Sequence, residues 1–150
     1  MTVLKKLIDF IFSKNEGYQY KAPEVLTNKD YSTASDVYSF AIVAYEIITN
    51  KKLFKDDLCD ILDYIKAVVI NGSRPKFDES IPNCYRNLIQ KCWSQDPNER
   101  PTFNEILYHF KINQEFLTET INKEEFNAYI KMIDDAPDIF DKNVDYYNWE

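Results

Sequence analysis

The stretch TASDVYSFAIVAYEIIT, residues 33 to 49, constrains the fold more than any other part of the chain. It has helical length and is apolar almost all round. An α-helix with no polar face to offer water belongs at the centre of a protein, with other elements packed about it. Ser35 and Asp36 stand near its start, where the unpaired amides of a first helical turn take acceptors. A chain built around such a helix must supply apolar partners to cover it. Of the 150 residues 45% are hydrophobic, with ten Phe, eleven Tyr and two Trp, which suffices for one domain of ordinary size.

The covering elements read as helices. Asp56 or Asp57 caps a predicted helix whose apolar positions Leu58, Ile61, Leu62, Ile65, Val68 and Val69 form one stripe ending at Asn71-Gly72. Asn83 opens another, with Tyr85, Leu88, Ile89, Cys92 and Trp93 at helical spacing, and it stops before Asp96-Pro97. Thr102 and Glu105 have the spacing of a capping box leading Phe103, Ile106, Leu107 and Phe110. A weaker pattern predicts a helix from Asn122 to Ile133, with Glu124 and Glu125 in its first turn and Phe126, Ile130 and Ile133 along its apolar edge. The last seventeen residues hold six acids, one Lys and a Pro, the composition of a loosely held tail. Val3, Leu4, Leu7, Ile8, Ile11 and Phe12 fit a helical stripe and a buried strand equally. The predicted class is mainly α.

A net charge of −7 argues against nucleic acid or an anionic membrane surface as the main partner. No apolar run approaches the roughly eighteen residues a membrane span needs. Asp9 splits the N-terminal apolar stretch and no small-residue cleavage site follows, which speaks against a signal peptide. Cys59, Cys84 and Cys92 form an odd set without Cys-x-x-Cys spacing, read as reduced and mostly buried thiols, so a cytoplasmic location is the expectation. The acids Asp134, Asp135, Asp138 and Asp141 lack the loop pattern and closing Glu of a calcium site. No Gly-x-Ser-x-Gly elbow supports a triad of Ser35, His109 and an Asp.

Four stretches, in this order and at this spacing, carry a family resemblance. They are Tyr20-Lys21-Ala22-Pro23-Glu24, Ser35-Asp36-Val37-Tyr38-Ser39-Phe40, Asn71-Gly72-Ser73-Arg74-Pro75, and Cys92-Trp93-x-x-Asp96-Pro97-x-x-Arg100-Pro101-x-Phe103. As an ordered set they resemble the C-terminal lobe of a protein kinase, and the last is most similar to the tyrosine-kinase and tyrosine-kinase-like groups. The resemblance covers roughly residues 5 to 112 and implies a helical, kinase-like C-lobe, a partial protein kinase fold. Residues 113 to 150 are then a C-terminal acidic extension, with a short helix and an aromatic tail.

The resemblance also implies roles. Ala22, Pro23 and Glu24 match the end of a kinase activation segment, and in that family the glutamate at Glu24 pairs with the arginine at Arg100. Asp36 matches a residue that anchors the start of the central helix by capping it, and that in the family also accepts from the catalytic-loop backbone. Tyr38 and Ala41 stand where the family commonly has Trp and Gly. Ile8-Asp9-Phe10-Ile11 is similar to the strand end and Asp-Phe-Gly turn that opens the segment, where the Asp ligates magnesium. Ile11 takes the place of the glycine, and only ten residues separate the motif from Ala22. The residues themselves equally allow Asp9 to end a buried apolar element at the surface. Tyr18 and Tyr20 fall in the shortened segment and are candidate modification sites.

Phosphoryl transfer in this family needs a glycine-rich phosphate cradle, a lysine paired to a helix glutamate, a catalytic-loop Asp, a metal-binding Asn and the Asp before Phe-Gly. Only the last has a candidate in these 150 residues; Gly17 and Gly72 lie far apart, and the single histidine, His109, falls on the last family helix. The expectation is a fragment inactive by itself, pseudokinase-like, with no cofactor of its own and with ATP and Mg only if completed by an N-terminal lobe. Apolar surface around Asp9, Phe10 and the start of the central helix would then lie open to a protein partner or to that lobe. The alternative implied by the resemblance is the C-terminal part of a serine/threonine or tyrosine kinase whose N-terminal part is truncated or supplied separately.

Overall fold

The computed structural model describes residues 17–51, 67–68, 71–117 and 121–135. Asp9 and the rest of the N-terminal stretch, Cys59, the predicted helix after Asp56 or Asp57 except Ala67 and Val68, and the tail beyond residue 135 lie outside the described residues. Every regular element among the described residues is helical. The chain divides into two compact units, residues 1–103 and 104–150.

In the first unit Gly17, at φ 83°, makes a left-handed turn that a side chain would strain, and leads into a 3-10 turn at Tyr18–Tyr20. Helix α1, Pro23–Asn28, starts on its proline. The ring fixes a helical φ, its missing N–H had no helical acceptor to lose, and its bulk pushes Ala22 into an extended conformation at ψ 153°. The helix ends on Lys29, which turns left-handed at φ 61°.

Helix α2, Thr33–Thr49, is the central stretch. Its cap uses Ser35, one of the two acceptors expected there, with Ser32 rather than Asp36 as the partner. The Ser32 hydroxyl accepts from the Ser35 amide at 3.2 Å and the Ser35 hydroxyl accepts from the Ser32 amide at 3.0 Å, a reciprocal capping box that sets the helix start. Asp36 stands exposed one position further on, where the N-terminal dipole favours its charge. Asn50 closes the helix in a left-handed conformation, φ 51°.

The expectation of a helix buried all round is corrected. Val37, Tyr38, Ala41, Ile42 and Tyr45 are buried, but Val43 is 45% and Ile47 74% exposed. An apolar circumference states what a helix can bury; which sides are covered depends on where other segments arrive.

Helix α3, Asn83–Cys92, packs against α2. Leu88, Ile89 and Cys92 face inward, and Trp93 follows, buried against Tyr45 and Phe77 with ring centroids 5.6 Å away from each. Tyr45 and Phe77 meet edge to face at 5.2 Å, and the Tyr45 hydroxyl reaches the Lys76 carbonyl at 3.3 Å. Each large side chain so buried stabilises by about 1.5–3 kcal/mol before chain entropy is counted. Asp96 then caps a 3-10 turn at Pro97–Glu99, its carboxylate accepting from the Asn98 amide at 2.9 Å. That turn delivers Arg100.

Helix α4, Phe103–Ile112, begins at the boundary between the units and buries Ile106. Within the second unit a 3-10 turn at Gln114–Phe116 tucks Phe116 against Phe110, centroids 4.7 Å apart. Helix α5, Lys123–Asp134, is capped by Asn122, whose side chain accepts from the Glu124 and Glu125 amides at 2.9 and 3.3 Å. Lys111 of α4 pairs with Asp134 of α5.

Candidate functional site

Arg100 organises the first unit. Its side chain is 0% exposed, and one edge of the guanidinium meets Glu24 in a two-pronged pair: Nη1 donates to Oε1 at 2.6 Å and Nη2 to Oε2 at 2.9 Å. The planar donor fork matches the carboxylate, which is why arginine rather than lysine suits such a place. Nη1 also donates to the Ala34 carbonyl and Nε to the Ser94 carbonyl, each at 2.9 Å. One side chain therefore ties the start of α1, the start of α2 and the loop after α3 to the turn that carries it. Glu24 sits in the first turn of α1, where the dipole favours an anion, and is only 15% exposed. A charge so placed is tolerated because its partner and its hydrogen bonds replace the lost water.

A second arginine joins from the loop before α3. The Cζ atoms of Arg74 and Arg100 lie 5.2 and 5.1 Å from the centroid of the buried Tyr38 ring, within the range of cation–π attraction. Arg74 donates through Nε to the Trp93 carbonyl, through Nη2 to Gln95 Oε1 and through Nη1 to the Ser73 carbonyl, each at 2.9 Å. Arg74 thus holds Trp93 and Gln95 and Arg100 holds Ser94 between them, while the two arginines share one aromatic ring.

The segment before α1 is held to the central helix at two points. The Ser39 hydroxyl donates to the Tyr20 carbonyl at 2.7 Å, and the Tyr20 hydroxyl donates to Glu46 Oε2 at 3.1 Å. Ala22, which follows in the chain, is fully buried. Lys21, partly desolvated, has its ammonium pKa lowered. Tyr18 is half-buried in the same 3-10 turn.

The structure thus brings Ala22, Pro23, Glu24 and Arg100 together, and links Tyr20 to the same face through Ser39 and Glu46. Asp36 is exposed in the first turn of α2 and makes none of the Arg100 contacts described above. Asp9, the candidate magnesium ligand, lies outside the described residues. His109 is exposed near the end of α4. The Ser35 hydroxyl is engaged in the α2 cap, donating to the Ser32 carbonyl at 2.7 Å while accepting from the Ser32 amide. Cys84 and Cys92 are buried free thiols, and burial pushes the Cys92 pKa up to about 12, leaving it unreactive. Sequence reasoning assigned no role to Arg74 or Glu46. Arg74 stood inside a quoted motif, but its bonds to Trp93 and Gln95 cross 19 and 21 residues and leave no periodic trace.

An anchored activation-segment end, a central helix and an arginine-locked loop are the parts of a protein kinase C-lobe. A model of protein tyrosine and serine/threonine kinases matches residues 13–110. The chain belongs to that family, on its tyrosine-kinase-like side. It is 39% identical over 101 residues to the dual specificity protein kinase shkE of Dictyostelium discoideum, an overlap of 67% of this chain and 14% of that protein. To the probable serine/threonine-protein kinase pats1 of the same organism it is 37% identical over 113 residues, covering 69% of this chain and 4% of that protein. To human mitogen-activated protein kinase kinase kinase 7 it is 38% identical over 88 residues, covering 59% and 14%. The chain therefore spans a small part of the length of the relatives it matches. Among the described residues, no helix is long and apolar enough to cross a membrane.

Proposed function

We propose that these 150 residues by themselves form a kinase-like fragment that does not transfer phosphoryl groups and acts in the cytoplasm as a binding or regulatory module. The observation that carries this reading is a contrast. The lock of Glu24, Ala34, Ser94 and Arg100 is complete, yet the described residues offer neither a phosphate cradle nor a metal cluster. Gly17 and Gly72 lie in separate turns and cannot jointly cradle phosphates, and no group of three His, Cys, Asp or Glu side chains able to hold a metal ion occurs among the described residues. Catalysis of phosphoryl transfer consists almost wholly of positioning and charge stabilisation, so one lobe cannot supply it. The purified chain should neither take up MgATP in equilibrium dialysis nor label a general protein acceptor with γ-phosphate. Tight, magnesium-dependent uptake overturns the proposal.

A second reading rests on a specific observation, the exposed apolar side chains of Val43 and Ile47 on a helix whose other face is core. Apolar side chains left open there suit a further segment of a kinase domain laid along α2, in the middle and second half of the helix rather than at its start. On this reading the chain is the C-terminal part of a serine/threonine or tyrosine kinase, with Asp9 as a magnesium ligand and ATP and Mg as cofactors. Mixing with the N-terminal portion of a related kinase domain should then restore ATP-dependent phosphorylation, and Asp9→Asn should abolish it. No activity in the mixture removes this reading.

A further inference from the structure

Helix α5 has two unlike faces. Phe126 and Ile130 are half-buried on one, and Asp134 on that side pairs with Lys111 of α4. The opposite face presents Ala128, Tyr129 and Met132, at i, i+1 and i+4, with Tyr129 56% and Met132 61% exposed. Exposed Glu124, Glu125 and Asp135 border this strip, and Lys131 adjoins the Glu124 edge. The charge along this part of the sequence is one-sided. Residues 104–150 hold eleven Asp and Glu against four Lys, which is the whole net charge of −7, while residues 1–103 carry fourteen of each sign.

We infer that this face of α5 docks a basic amphipathic helix of a protein partner, its apolar side on Tyr129 and Met132 and its Lys or Arg groups against Glu124, Glu125 and Asp135. Charge complementarity selects the occupant. A second copy would set one −7 unit against another, and nucleic acid or an anionic bilayer is repelled in the same way. The unbranched, polarizable methionine and the large ring of the tyrosine give adaptable apolar contacts, as helix-in-groove recognition requires. Attraction between the charged borders makes the association weaken with added salt.

The test uses the full 150-residue chain and a fluorescent synthetic Leu/Lys peptide with its leucines on one helical face. A peptide of the same composition with scattered leucines is the control, followed by anisotropy. The amphipathic peptide is expected to bind about tenfold or more tighter than the scattered one. Tyr129→Ala with Met132→Ala is expected to remove that preference, with helix content by circular dichroism unchanged because both side chains are exposed. Should that variant lose helix content, Glu124→Lys with Glu125→Lys, which alters only the charged border, is expected to weaken the amphipathic peptide by a similar factor. Equal binding of the two peptides overturns the inference, since charge alone would then explain it. Unchanged binding by a folded variant overturns it too, as does self-association or binding to phosphatidylserine vesicles through this face in place of peptide.

Discussion

Replacing Glu24 by Ala deletes the acceptor of two of the four hydrogen bonds that Arg100 donates and leaves a guanidinium of 0% side-chain exposure facing two backbone carbonyls. Removing one partner of a buried pair costs about 3–5 kcal/mol, because the remaining charge stays out of water. Glu24 itself keeps 15% exposure, so water can enter at the edge once the carboxylate is gone, which places the expected loss near the lower end, at about 3 kcal/mol. In a chain of this size that corresponds to a fall in Tm of roughly 10 °C. Glu24→Gln keeps the shape and one acceptor, and is expected to cost about 1.5–3 kcal/mol. The converse is equally specific. Glu24→Leu combined with Arg100→Met strands no charge, so the double variant should lose less stability than the two single variants added together, although the Ala34 and Ser94 carbonyls each lose a donor. Urea unfolding followed by far-ultraviolet circular dichroism reads each variant against the parent chain. A Glu24→Ala loss below about 1 kcal/mol, the range of solvent-exposed pairs, would mean that water satisfies Arg100 and that no buried charge is stranded.

Ser32→Ala removes one half of the α2 capping box and is expected to cost about 1 kcal/mol in the same assay, while Ser32→Asp should retain most of it. Tyr38→Leu takes the shared ring from Arg74 and Arg100 and should cost roughly 1–2 kcal/mol beyond any change in packing volume, read against Tyr38→Phe, which keeps the ring. The Cys92 thiol, with its pKa pushed up to about 12, should resist iodoacetamide in the folded chain and react on unfolding. Its pH linkage has a definite sign. The thiol ionises near its ordinary value of 9.0 when unfolded and at about 12 when folded, so the unfolded state holds fewer protons between those values. Stability is full below pH 9 and falls as the pH rises toward 12, by at most about 1.4 kcal/mol per pH unit, and Cys92→Ala should remove that slope.

What could be read along the chain was whatever rests on neighbours in sequence. The period of Tyr85, Leu88, Ile89 and Cys92 marks α3, and Asn122 followed by two glutamates marks the start of α5, because a helix satisfies its own backbone and shows its buried side every three or four residues. The kinase C-lobe was legible in four short motifs because each keeps its local order. In the cap of α2 Ser35 was legible but its partner Ser32 was not, since Ser32, Ser35 and Asp36 are all good acceptors and only backbone geometry selects among them. Tertiary structure alone decided that Val43 and Ile47 stay open while Ala41 and Ile42 are covered, and that Arg74 and Arg100 converge on Tyr38. The Glu24–Arg100 contact joins residues 76 apart, so no periodicity connects them, and its bidentate geometry depends on three segments arriving together. Local hydrogen bonding and side-chain spacing are written residue by residue, whereas burial and charge pairing belong to segments that meet only after the chain has folded.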